Sequence, residues 1–171
     1  MKFSSDLTAL LSATSAALAT CAASTNTPSP PPPPTLTHLY TMNCTLAPAI
    51  TIGDGPIYNR VAIPIVGGTF SGPRGLSGTI ADLGADWGVT DKHGVFHPDT
   101  RYHLYAGAEK AGIFVQTAGS AQPDGRIQLR MVFETGHPDY YWLNYVVAVG
   151  ILTAGDGYVL IDAWQVNSPA L

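Results

Sequence analysis

Gly112-Ile113-Phe114-Val115-Gln116-Thr117, then Pro123-Asp124-Gly125, then Arg126-Ile127-Gln128-Leu129-Arg130-Met131-Val132-Phe133-Glu134 is the stretch that decides the fold. Two short runs rich in β-branched, aromatic and other apolar residues flank a turn signal. Proline presets φ there, and glycine accepts positive φ without a steric cost. The same unit recurs toward the N-terminus: His38 to Leu46, Arg60 to Val66, Thr69-Phe70-Ser71 beyond Gly67-Gly68, and Leu76 to Leu83. Trp87 to Thr90, Val95-Phe96 after the turn Asp91-Lys92-His93-Gly94, and Tyr102 to Tyr105 complete that side. Toward the C-terminus follow Tyr140 to Gly150 and, around Gly155-Asp156-Gly157, the run Gly157 to Val166. Pro48 and Gly53-Asp54-Gly55-Pro56 read as a turn region. No segment keeps helical apolar spacing over three turns. The expectation is an all-β domain of about eight to ten strands whose sheet closes on itself, since closure removes exposed strand edges.

The chain has 171 residues, enough for one domain with a few dozen residues to spare. Apolar residues make up 46% and charged residues only 12%, with 18 Gly and 14 Pro, a composition suited to strands and turns. Net charge is −4 and the eight Lys and Arg are scattered, which excludes the basic stripe of a nucleic-acid binder. No run of about twenty apolar residues occurs, so no conventional membrane-spanning helix is expected. Residues 1–23 have the layout of a secretory signal peptide, with Lys2, an apolar small-residue stretch from Leu7 to Ala23, and Ala-x-Ala-like spacing at Ala17-Leu18-Ala19. The expected location is the secretory pathway or outside the cell; a cytoplasmic barrel with a disordered leader is the alternative. Leu18-Ala19-Thr20-Cys21 is a faint lipoprotein-box pattern with an atypical Thr before the cysteine. Residues 24–35, with Pro30 to Pro34, read as an extended polyproline II spacer, an SH3-type ligand being the sharper alternative. Residues 36–171 form the predicted barrel. Cleavage near Ala23 removes Cys21 and leaves Cys44 alone, without a disulfide partner. Asn43-Cys44-Thr45 matches the glycosylation pattern.

The chemistry-bearing residues lie in apolar contexts. Glu134, one of two Glu, follows Met131-Val132-Phe133; Arg101 precedes Tyr102; Asp86 precedes Trp87; Asn144 interrupts an aromatic run that includes Trp142; and Asp162 divides Ile161 from Ala163. Alternate strand residues share a face, so Arg101, His103 and Tyr105 lie opposite Tyr102 and Leu104, and Trp142 with Asn144 opposite Leu143 and Tyr145. The expectation is a polar-lined, aromatic-walled lumen in which Arg101 pairs with Asp86 or Glu134, because buried charges persist when paired. A structural ion-pair network plugging the barrel is the competing reading. The five histidines fall in turns or are spread out, and no metal or cofactor site is expected; His93 and His97, four apart, are separated by a turn at Gly94.

Taken together, Ile63-Pro64-Ile65, Gly67-Gly68-Thr69-Phe70-Ser71-Gly72-Pro73, Gly84-Ala85-Asp86-Trp87, Asp99-Thr100-Arg101-Tyr102, Phe133-Glu134-Thr135-Gly136, Tyr141-Trp142-Leu143-Asn144 and Val147-Ala148-Val149-Gly150 resemble the domain-of-unknown-function family 3237 in order and kind. The likeness runs from about Leu39 to Val166. It is nearest to fungal members through Pro123-Asp124-Gly125-Arg126 and Gly155-Asp156-Gly157-Tyr158. The resemblance implies a compact antiparallel barrel, lipocalin-like or allene-oxide-cyclase-like. It also implies, from fungal relatives in secondary metabolism, cofactor-free cyclisation or isomerisation of aromatic polyketide-like molecules, for example closure of a phenol onto a prenyl alkene. In that scheme Glu134 or Asp86 is the acid and Arg101 holds the phenolate or a carbonyl oxygen, while Trp87, Tyr102, Trp142 and Asn144 line the substrate site. A non-catalytic carrier of an apolar or aromatic small molecule is the alternative from a different class. The oligomeric state is not legible in the sequence.

Overall fold

The computed structural model describes residues 29–169, and the barrel lies within the unit Pro32–Leu171. The leader predicted over residues 1–23 and Cys21 fall outside the described residues. Residues 29–34, which include the proline run, have no regular secondary structure and are exposed.

Eleven strands follow: β1 (Thr35–Leu46), β2 (Ile50–Gly55), β3 (Tyr58–Ser71), β4 (Gly78–Asp86), β5 (Val89–Thr90), β6 (Phe96–His97), β7 (Asp99–Ala106), β8 (Ala111–Ala121), β9 (Ile127–Glu134), β10 (Ala148–Ala154) and β11 (Tyr158–Asn167). Eight of them close in the order β1-β11-β10-β9-β8-β7-β4-β3, and β3 returns to β1. Every pairing is antiparallel, as expected of a chain built from hairpins. The barrel expected from the turn spacing is therefore present.

Closure requires two strands to cross at close range, and glycine makes that possible. Gly68 on β3 has φ +132°, and a Cβ there would stand 2.1 Å from the Asn43 carbonyl oxygen on β1. Gly84 (φ +122°) does the same for β4 against β7, where a Cβ would meet the Arg101 carbonyl oxygen at 2.3 Å. Both lie at shifts of register, which bend a sheet into a barrel. The Gly67-Gly68 pair thus does not end a strand, as its composition predicts, but curves one continuous strand.

Two segments depart from expectation. Tyr140 to Val147 is not strand: Pro138–Tyr145 forms a 3-10 helix capped by His137, whose ring accepts from the Asp139 amide, and β10 starts only at Ala148. Local capping and proline at the first turn outweigh the aromatic, β-favouring composition. Conversely, the predicted turn around Gly53 contains β2, which pairs with the overhanging start of β3. With β5 and β6 this forms a small sheet beyond the barrel rim.

The core fills one end of the barrel. Tyr40, Phe70 and Phe133 meet there edge to face, with ring centroids 5.5 and 6.2 Å from Tyr40, and Leu39, Leu76, Leu104, Ile113 and Leu143 are fully buried around them. Leu143 comes from the 3-10 helix, which closes that end. Alternation then sets the other end. Met42, Cys44, Tyr102, Thr100, Val115 and Thr117 face inward, with smaller or more polar side chains toward the mouth. No described helix is long and apolar enough to cross a membrane.

Candidate functional site

At the open end the lumen holds a cavity of about 220 Å³. Its wall is apolar: Met42, Ile63, Ile65, Phe96, Leu152 and Ile161 are among the lining residues, and Tyr158 stands at the rim. One ionisable carboxyl enters it, that of Asp86.

The position of Asp86 follows from strand register. Ile63, Asp86, Thr100 and Thr117 are paired in succession across β3, β4, β7 and β8, so their side chains form one row on the inner wall. The Asp99 amide donates to Asp86 Oδ1 at 2.9 Å. Phe96 shields the group: its ring lies against Gly88, where a Cβ would come within 2.2 Å of it and 3.3 Å of Asp86 Oδ1. Burial pushes the Asp86 carboxyl up to about 6, and hydrogen bonds from the Asp99 amide and Thr100 hydroxyl only partly offset that rise. A carboxylic acid titrating there exchanges protons readily near neutrality.

Tyr102 lies two residues beyond Thr100 on the same inward face, completely buried, and its hydroxyl donates to Met42 Sδ at 3.5 Å. Thioether sulfur is a weak acceptor, so a guest oxygen competes well for that proton. Burial, with the neighbouring Tyr40 phenol as the second cause, raises the Tyr102 phenol well above its ordinary range and keeps it a neutral donor. Cys44 also lines the cavity, its thiol pushed up to about 12 by burial and therefore protonated. Diagonal neighbours on paired strands are roughly 7–8 Å apart, so Asp86 and Tyr102 can address two ends of one small molecule.

The other predicted site residues are elsewhere. Arg101 points outward beside Asp99, which it meets at 3.1 Å with both side chains about 40% exposed. Glu134 is exposed on the outer face of β9 near the closed end, in an open groove with His103, Phe114 and Tyr141. Neither Arg101 nor Glu134 joins Asp86 in the lumen; one residue of strand phase separates Arg101 from the inward-facing Thr100 and Tyr102. Trp87 is 38% exposed and follows β4 outside the cavity lining. Trp142 is half-buried with the Arg74 guanidinium 3.5 Å from its ring centroid. Asn144 works as a clamp: its Oδ1 accepts from the Thr135 amide and its Nδ2 donates to the Thr135 and Tyr141 carbonyls, all at 2.9 Å. Of the predicted set, the structure brings only Asp86 and Tyr102 together. Thr100, Thr117, Phe96 and Tyr158 escaped the sequence reading; the alternation that places Tyr102 inward also marks Thr100. Among the described residues no group of three His, Cys, Asp or Glu is arranged to hold a metal ion.

Comparison with known proteins agrees with this architecture. A UPF0311 protein of Rhodopseudomonas palustris is 27% identical over 146 residues, covering 75% of this chain and 94% of that protein. A β-barrel-like protein from Acinetobacter baumannii superposes with a TM-score of 0.75 at 34% identity, covering 81% of this chain and 99% of the other. An enzyme from Penicillium herquei superposes with a TM-score of 0.65 at 24% identity, over 82% of this chain and 99% of that one, a likeness of fold. Residues 34–166 match the family described as "Protein of unknown function (DUF3237)", and the chain belongs to that family.

Proposed function

We propose that this protein is a cofactor-independent cyclase or isomerase whose lumen takes a small aromatic or polyketide-like molecule and whose Asp86 moves the proton. The observation that carries this reading is a single carboxyl, its pKa raised to about 6 by burial, in a largely apolar cavity. The cavity exceeds the roughly 150 Å³ that holds benzene and falls short of the roughly 300 Å³ at which drug-sized pockets begin. The guest is therefore of one or two rings, with any longer chain emerging at the mouth between Phe96 and Tyr158. The likeness to fungal members drawn from the sequence, and a barrel of this fold that is an enzyme in Penicillium herquei, fit such a role.

Closure of a phenol onto a prenyl alkene illustrates the chemistry. The Asp86 carboxyl gives its proton to the alkene carbon, and the phenol oxygen bonds to the resulting cationic carbon. The phenol proton then returns to the carboxylate, so the product is an isomer of the substrate and the enzyme is restored. With a pKa of about 6, roughly a tenth of the molecules carry the required proton at pH 7. Tyr102, Thr100 and Thr117 supply hydroxyls for the substrate oxygen, the role first expected of Arg101. Phe96 and Tyr158 supply aromatic faces for the developing positive charge. Holding both reacting ends in one cavity contributes much of the acceleration.

The test begins with metabolite profiling of a strain lacking the gene, which identifies the compound that accumulates. Purified wild-type protein is expected to convert that compound, while Asp86→Asn binds it with similar affinity and turns it over at least about a hundredfold more slowly. Binding by the wild type without conversion overturns the enzyme reading in favour of a carrier. N-terminal sequencing of the mature protein from cells and medium tests secretion and removal of residues 1–23.

A further inference from the structure

His97, Asp91 and Ser120 form a hydrogen-bonded relay outside the lumen. His97 Nδ1 lies 2.8 Å from Ser120 Oγ, and His97 Nε2 lies 2.9 Å from Asp91 Oδ2. Asp91 is itself anchored, with Oδ1 accepting from the His93 and Val95 amides at 2.8 and 3.0 Å. These bonds, the His97 contact first among them, hold its carboxyl down at about 2, so it is ionised near neutrality. An ionised carboxylate accepts the Nε2 proton, which leaves the Nδ1 lone pair facing the serine hydroxyl. A nucleophile, a base within reach and a third group orienting the base form the arrangement that activates a serine.

Ser120 also borders free space. It is the outward-facing residue of β8 opposite Gln128 of β9, and it lines a groove of about 390 Å³ with Gln122, Gln128, Arg130, Val149 and Ile151. The groove supplies what an acyl-transfer site needs besides its nucleophile. Val149 and Ile151 offer an apolar shelf. Gln122 and Gln128 offer amide donors, although one Gln122 proton already goes to the Ser120 carbonyl at 3.0 Å. Arg130 is exposed and makes no ion pair among the described residues, so it is available to an anion.

We propose that Ser120 is the nucleophile of a second, esterolytic site on the outer barrel wall, with His97 as its base and Asp91 as a positioning residue. Its substrates are short acyl esters, favoured when the acyl chain ends in a carboxylate that reaches Arg130. Ser120 Oγ bonds to the ester carbonyl carbon as its proton passes to His97 Nδ1. The ester C–O bond breaks, and the departing alkoxide takes that proton and leaves as the alcohol. Water then adds to the acyl carbon, gives a proton to His97, and the carboxylic acid leaves as Ser120 regains its hydrogen. The sum is ester and water to acid and alcohol.

Full-length protein is treated with a fluorophosphonate probe, the modified peptide is located by mass spectrometry, and hydrolysis of 4-nitrophenyl butyrate and of 4-nitrophenyl hemisuccinate is followed. The expected result is modification at Ser120. Ser120→Ala, a small change verified by its melting curve, removes labelling and lowers hydrolysis at least about tenfold. Asp91→Asn slows labelling and alters its pH profile, which a carboxylate serving only the turn would leave unmoved. Arg130→Gln reduces the preference for the hemisuccinate. Labelling at another residue, hydrolysis by Ser120→Ala at the wild-type rate, or wild-type hydrolysis no faster than the heat-denatured protein overturns the proposal.

Discussion

Asp86 stands directly opposite Thr100 across the β4–β7 ladder, on the inner wall of the barrel and within a cavity whose other walls are largely apolar. Neighbouring register pairs place Arg101 against Ala85, so the guanidinium faces outward, away from the carboxyl. Burial raises the proton affinity of Asp86, and no cation among the described residues stands beside it to offset that rise.

A carboxyl raised by burial makes stability fall as pH rises. Between the ordinary carboxylate range and about 6, the folded state binds a proton that the unfolded state has lost, so the slope of unfolding free energy against pH is negative there. Above about pH 6 the buried charge costs on the order of 2–3 kcal/mol. Asp86→Asn, which still accepts from the Asp99 amide, is expected to melt higher than wild type at pH 7.5 and to match it near pH 3.5. Calorimetric melts of the two proteins across that window decide the matter; identical curves would remove Asp86 from its buried setting.

Tyr102→Phe removes a phenolic donor from the cavity wall at little structural cost, since its hydroxyl donates to a thioether at 3.5 Å. The melting temperature is expected to change little, within about 1 kcal/mol of stability. Affinity for an oxygen-bearing aromatic guest should fall about tenfold, measured by titration calorimetry. Affinity for the same ring without oxygen should stay constant.

Asn144→Ala breaks two hydrogen bonds that tie the 3-10 helix to Thr135 at the end of β9 and a third within the helix, to the Tyr141 carbonyl, and leaves the Thr135 amide without its partner. A loss of roughly 2–3 kcal/mol follows, with faster amide exchange over residues 135–145. Lumen affinity is expected to stay within about twofold of wild type. A large loss of guest binding without loss of stability would return Asn144 to the ligand site.

Gly68→Ala places a methyl 2.1 Å from the Asn43 carbonyl oxygen, at a backbone angle that alanine rarely adopts. The β1–β3 seam must shift, so destabilisation on the order of 3 kcal/mol or more is expected in urea melts. The neighbouring Gly67, whose added Cβ meets only the Ile80 carbonyl oxygen at 3.8 Å, carries the backbone penalty without the clash and should lose less on the same substitution.

Part of the site is legible in the sequence. Asp86 stood out as a carboxyl among small and aromatic residues, and period-2 alternation correctly set Tyr102 and Leu104 opposite Arg101 and His103. Which of those two faces was the inner one depended on every other strand, and assigning the charged face to the lumen misplaced Arg101 and Glu134. Asn144 and Trp142 were misread for a different reason. A capped, proline-initiated turn of 3-10 helix replaced the strand that their aromatic neighbours favour. The relay of Asp91, His97 and Ser120 had no sequence signature, because its third member arrives from β8, 23 residues after His97.

Strand periodicity and glycine-proline punctuation by themselves determined an all-β chain of hairpins, because the alternation of side chains and the allowed φ of turn residues are local properties. The tertiary structure alone decided that the sheet closes at β1 and β3, that one end fills with Tyr40, Phe70 and Phe133, and that the other stays hollow around Asp86. Those outcomes depend on register, and register is a relation between residues far apart in the chain: a slip of one position exchanges the inner face for the outer.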